Sequence, residues 1–163
     1  MCIRDSVHGG GQEYGLRSGT VNLPMAVSMV KSIKLTMGRL DEARRKLNKM
    51  NQSVRTFLEE FRGVYINSPK DSAPQIINVS FPGVKGEVLV NAFSKHGVMI
   101  STTSACSSKR GKLNEVLLAM GVPDARIEGS IRISMGVHTT EEDIQRFKEV
   151  FEQVYEEVKE LLK

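Results

Sequence analysis

The stretch Gln75-Ile76-Ile77-Asn78-Val79-Ser80-Phe81 decides the fold. Ile77, Val79 and Phe81 alternate with Asn78 and Ser80, which is the period of a strand with one apolar and one polar face. Ile131, Ile133 and Met135 alternate in the same way with Arg132 and Ser134, so 131–135 is a second strand of this kind. Residues 64–67 and 98–101 read as shorter strands, and the run Ser68-Pro69-Lys70-Asp71-Ser72-Ala73-Pro74 is the turn before the first long one.

Helical spacing fills the intervals. Val88, Leu89, Ala92 and Phe93 share one face of 86–96, which Gly97 ends, and 113–120 is another helix, closed by a turn at 121–124. Thr139 and Glu142 form a capping box for a final helix with the stripe Ile144, Phe147, Phe151, Val154, Val158 and Leu161. Before residue 63 only helices are expected. Asn22 and Pro24 open one that carries Leu23, Val27, Val30, Ile33 and Met37 up to Gly38. From Leu40 the positions Leu40, Ala43, Leu47, Met50, Val54, Phe57 and Phe61 give a long amphipathic helix, whose other face holds Arg44, Lys49, Gln52, Arg55 and Glu59. Met25, Met29, Met37 and Met50 are expected to fill a core. Because helices and strands alternate only beyond residue 63, the fold class is α/β in two parts, which the long helix joins.

The 163 residues suffice for about one domain, and 40% hydrophobic with 26% charged residues excludes a disordered chain. A net charge of +4 permits an anionic partner without requiring one. With 6% aromatic residues and no Trp, a base-stacking surface has little material. Glu141, Glu142, Glu152, Glu156 and Glu157 on the last helix also argue against direct nucleic-acid binding. No apolar run approaches the roughly 20 residues of a membrane span, so no membrane partner is expected. The opening Met1-Cys2-Ile3-Arg4-Asp5-Ser6 has no secretory pattern, and Cys2 and Cys106 form no disulfide framework or zinc spacing, so a cytoplasmic location is expected.

Three places could carry chemistry. Cys106 lies in Ser101-Thr102-Thr103-Ser104-Ala105-Cys106-Ser107-Ser108-Lys109-Arg110-Gly111-Lys112, a small polar loop in which three cations favour a thiolate, the nucleophilic form. A structural or incidental cysteine is the alternative, and His8, His96 and His138 are too dispersed to pair with it from spacing. Arg132 either turns a guanidinium fork toward a carboxylate or phosphate, or is an edge-strand arginine facing water. Gly9-Gly10-Gly11 could bring backbone amides to an anion, with hydroxyls from Ser18 and Thr20. Walker and dinucleotide fingerprints are absent, and no ligand spacing points to a metal.

Three segments in order then carry a resemblance: Gly9-Gly10-Gly11-Gln12-Glu13 with Gly15-Leu16-Arg17-Ser18-Gly19-Thr20, the Cys106 loop, and Gly129-Ser130-Ile131-Arg132-Ile133-Ser134. Over residues 7–163 the chain resembles the C-terminal portion of a pyridoxal 5'-phosphate-dependent cysteine desulfurase of the NifS and IscS type, in the class-V aminotransferases. The resemblance implies the C-terminal part of a fold-type-I transferase, in which Cys106 takes sulfur from L-cysteine as a persulfide and leaves alanine. It implies that Arg132 receives the substrate carboxylate, that Thr20 reaches the cofactor phosphate of the partner subunit, and hence a homodimer. Sulfur would pass to an acceptor protein, a scaffold for iron–sulfur cluster assembly or a tRNA-thiolation enzyme. Related selenocysteine lyases share the fold, so the resemblance leaves cysteine and selenocysteine both open as substrate.

The same resemblance implies an anchoring lysine just before the Gly-rich loop and, earlier, a stacking histidine and a pyridine-binding aspartate. None of those motifs occurs in this chain, and Lys31 and Lys34 lie on a helix after the loop. The expected organisation is therefore a non-native leader at 1–6, a remnant of the large cofactor domain with the connecting helix at 7–62, and the small domain with the cysteine loop at 63–163. On this reading the chain is a truncated piece, inactive alone. The alternative is a stand-alone persulfide carrier or binding module that never takes up the cofactor.

Overall fold

In the computed structural model, residues 7–102 and 114–162 are described. The chain divides into two compact units, Met1–Asp41 and Glu42–Lys163. The first holds the Gly-rich loop and α1 (Leu23–Met37). Asn22 caps this helix by accepting from Met25 N at 3.1 Å, with Pro24 in the first turn, as the sequence indicates. The expectation of buried methionines fails here. None of the α1 residues is buried, and Met25, Met29 and Met37 are 69%, 60% and 67% exposed. An apolar pattern reports what a side chain prefers, and nothing in α1's own unit supplies the covering surface.

The second unit contains α2 (Leu40–Leu58), β1 (Tyr65–Ile66), β2 (Ile76–Ser80), α3 (Gly86–Lys95), β3 (Ser101–Thr102), α4 (Glu115–Ala119), α5 (Asp124–Glu128), β4 (Ser130–Ser134) and α6 (Glu141–Val158). All but the first two residues of α2 belong to it. The expected boundary at 62/63 thus falls inside a packed body, because Leu47, Met50, Val54, Phe57 and Leu58 share one core with the sheet. The helix is part of the α/β unit rather than a link to it.

The sheet has the order β1-β2-β4-β3, antiparallel throughout. Its apolar face, with Ile77, Val79, Ile131 and Ile133, meets α2, α3 and α6. Phe151 of α6 centres the helical layer, its ring 5.5 Å from Phe57, 4.9 Å from Phe61 and 5.8 Å from Phe147. Gly129 fits only as glycine, since a Cβ would lie 2.2 Å from Phe81 O and 2.7 Å from Val84 O. This close approach seats the start of β4 beside the end of β2.

Several local expectations are corrected. The capping box of α6 is Thr140 with Asp143, one residue later than expected: Thr140 Oγ1 accepts from Asp143 N at 3.1 Å, and Asp143 Oδ2 from Thr140 N at 2.8 Å. Thr139 is taken by the preceding turn, where its hydroxyl accepts from Gly136 N. The third strand lies at Ser101–Thr102 rather than 98–101, since Val98 and Ile100 turn toward the core before the ladder begins. Helix α5 follows the expected turn and was not anticipated; five residues are too few to show a period. Arg55, expected on the solvated face of α2, bonds Ser68 O at 3.0 Å and Pro69 O at 2.8 Å and so pins the turn before β2.

Candidate functional site

The Gly-rich loop is a folded element. Val7 and Arg17 form an isolated parallel bridge, and a 3-10 turn spans Glu13–Gly15. Tyr14 takes φ 56° and Gly15 φ 76°, so the chain reverses through left-handed conformations that favour glycine. Ser18 is buried, and its hydroxyl donates to Gly10 O at 2.6 Å, while Gly19 N donates to the Gln12 side chain at 3.2 Å. The Ser18 proton, expected to serve an anion, is therefore spent inside the loop. Thr20 is exposed at the loop's end.

Arg132 sits on β4, an interior strand with β2 on one side and β3 on the other. Arg132 is therefore not on an edge strand, although its exposure leaves it facing water. Pairing sets Asn78 directly opposite Arg132 on one flank and Ser101 on the other. Because side chains of paired residues share a face, this face of β2, β4 and β3 carries Ile76, Asn78, Ser80, Ser130, Arg132, Ser134 and Ser101. Arg132 is the single charge among them. It is exposed, and among the described residues its guanidinium has no ion-pair partner. A guanidinium can hold a carboxylate or phosphate through paired hydrogen bonds.

A buried polar cluster, which sequence reasoning missed, lies beside it. Arg126 of α5 donates to Asn67 Oδ1 and stacks over the Tyr65 ring, 4.7 Å from its centroid. Asn67 Nδ2 donates to Asn78 Oδ1 at 2.6 Å and to Ser80 Oγ at 2.5 Å. Asn78 Nδ2 donates to Ile131 O at 3.0 Å. The signal available in the sequence was the pair Asn78 and Ser80 on the polar face of a strand rich in β-branched residues.

Cys106, with Lys109, Arg110 and Lys112, lies outside the described residues, as does Cys2. Thr102, four positions before Cys106, pairs with Ile131, the neighbour of Arg132. Thr20 and Arg132 belong to different units. Among the described residues no group of His, Cys, Asp or Glu could hold a metal ion, and no helix is long and apolar enough to cross a membrane.

Residues 3–147 match the family described as aminotransferase class-V. The cysteine desulfurase IscS of Clostridium botulinum (strain Hall) is 36% identical, over 98% of this chain and 41% of the relative. That of Dictyoglomus turgidum is 35% identical over 96% of this chain and 40% of the relative. A solved NifS-like protein superposes with a TM-score of 0.76 at 34% identity, covering 95% of this chain and 39% of the other. The NifS-like protein from Rickettsia africae gives 0.79 at 27%, covering 96% and 41%. The chain thus spans about two fifths of the length of the relatives it matches, and its α/β fold is that of the corresponding part of the NifS-like structures. The family match over most of its length shows that the chain belongs to the class-V aminotransferase family.

Proposed function

We propose that this chain is the C-terminal, sulfur-handling part of a cysteine desulfurase, with Cys106 as nucleophile, Arg132 as receptor for the carboxylate of L-cysteine, and Thr20 as a phosphate contact to the cofactor of a partner subunit. The observation that carries the reading is Arg132: a guanidinium on an interior strand, flanked by Asn78 and Ser101 and with no ion-pair partner among the described residues. A fork of this kind holds a carboxylate through two parallel hydrogen bonds and so fixes the amino acid's orientation. Sulfur acceptance by a scaffold or a tRNA-thiolation enzyme, a homodimer and a cytoplasmic location belong to the same reading.

Pyridoxal phosphate is the family's cofactor. The donor set here fits the cofactor and its substrate: the exposed Thr20 hydroxyl suits a phosphate oxygen, and the exposed Arg132 guanidinium a carboxylate. When bound, the cofactor supplies the electron sink for the substrate's carbon skeleton. The chain's own part is sulfur transfer. The Cys106 thiolate attacks the substrate sulfur, an S–S bond forms and the S–Cβ bond breaks. The bonding pair passes to the carbon side, which takes up a proton and leaves as alanine. One thiol and one cysteine give one persulfide and one alanine, so no external oxidant is needed. Lys109, Arg110 and Lys112 in the same segment favour the thiolate that begins the step.

The test is alanine release from L-cysteine by the pyridoxal-loaded enzyme that carries this sequence. Cys106→Ala is expected to abolish persulfide formation, and normal turnover by that variant would refute the role. A stand-alone persulfide carrier would instead take sulfur from a donor persulfide with the 163-residue chain alone and no cofactor.

A further inference from the structure

Asn78 faces Arg132 across the β2–β4 pair, and a chain of donors and acceptors fixes the direction of its amide. Arg126 has only donors, so the Asn67 atom it contacts is the carbonyl oxygen. That turns Asn67 Nδ2 toward Asn78 Oδ1, 2.6 Å away, and leaves Asn78 Nδ2 to donate to Ile131 O at 3.0 Å. Flipping either amide would set donor against donor or acceptor against acceptor. Asn78 is 8% exposed, so such a mismatch would go uncompensated by solvent.

The Ile131 carbonyl belongs to the peptide that leads into Arg132, so the relay holds the backbone from which the guanidinium projects. It is also neutral at its last member. A carboxylate in the place of Asn78 would pair with Arg132 and use up the fork.

We infer that Asn78, oriented by Arg126 through Asn67, is a positioning residue that fixes Arg132 and, being neutral, leaves its guanidinium open to the carboxylate of a bound molecule. This deepens the proposed function and rests on the role given there to Arg132.

Two measurements test it. In the 163-residue chain, the Arg132 Nε–H resonance is followed by NMR in Asn78→Asp and in Asn78→Ser. Asn78→Asp should move it downfield through an internal ion pair, and Asn78→Ser, which cuts the link to Ile131 but stays neutral, should broaden it. A resonance unmoved and unbroadened in the variants that fold overturns the inference. In the pyridoxal-loaded enzyme, Asn78→Asp should raise KM for L-cysteine about tenfold with kcat held within about threefold, equivalent to loss of one carboxylate contact. A fall in kcat at unchanged KM overturns the inference, provided that Arg132→Lys raises KM. If Arg132→Lys leaves KM unchanged, the role of Arg132 itself is overturned.

Discussion

Helices α1 and α2 are close in length and adjacent in sequence, yet they stand at opposite ends of burial. Helix α2 is charged on one side and apolar on the other, and Leu47, Met50, Val54, Phe57 and Leu58 are all buried. Helix α1 is richer in apolar residues, with only Lys31 and Lys34 charged, and none of it is buried. A one-sided helix needs one surface, which the sheet of its own unit provides. A helix with apolar residues spread around most of its circumference needs more covering surface, and α1's own unit does not enclose it. Hydrophobic content therefore ranks the two helices in the wrong order for burial; asymmetry ranks them correctly.

The largest expected effect lies on the packed side of this comparison. Phe151→Ala removes a fully buried ring in contact with Phe57, Phe61 and Phe147, and should cost about 3–5 kcal/mol in urea unfolding. On the other side, Val27→Ala and Met29→Ala, at positions 58% and 60% exposed, should change stability by less than about 0.5 kcal/mol. A cost above 2 kcal/mol for either α1 variant would break the contrast.

Glycines sharpen it further. Gly129→Ala drives a methyl group into the carbonyls of Phe81 and Val84 and should destabilise by about 2 kcal/mol or more. Gly136→Ala meets nothing within 4 Å and should be near neutral. Equal unfolding midpoints for the two variants would contradict the close approach of β4 to the end of β2.

The cap of α6 comes next. Thr140→Ala should cost about 1 kcal/mol and Thr139→Ala less, and the reverse order would restore the cap expected from sequence. The smallest effect is in acid. The hydrogen bonds from Thr140, backbone first and hydroxyl second, hold the Asp143 carboxyl below its ordinary range. A lowered folded pKa stabilises above the unfolded value and is lost as pH falls through the folded one. Stability should therefore fall on acidification below the usual carboxylate range. Asp143→Asn should flatten that slope slightly, because the group is exposed.

Much of the second unit was legible in the sequence, because its signals are two-sided. Alternation in 75–81 and 131–135 located β2 and β4, and the apolar stripes located α2, α3 and α6 with most of their buried faces, Leu40, Val88 and Leu161 being exposed instead. What escaped depends on partners distant in the chain. The strand order that makes β4 interior, and so sets Arg132 between Asn78 and Ser101, is a pairing that no local period encodes. The Arg126–Asn67–Asn78 relay joins the five-residue α5, the residue after β1 and the middle of β2, which no local period connects. The exposure of α1 escaped for the converse reason: apolar spacing states a need for burial and says nothing of where the covering surface is. Cys106 was singled out by its polar, cation-rich surroundings, a feature of composition that needs no fold to be seen.

Mass spectrometry of the Cys106 peptide after brief exposure of the pyridoxal-loaded enzyme to L-cysteine is the most direct examination of the sulfur-transfer reading. The account predicts a gain of one sulfur atom on Cys106, removed by a thiol reductant and absent when Arg132 is replaced by alanine at the same substrate concentration. Alanine released in full while Cys106 remains an unmodified thiol throughout turnover would contradict it.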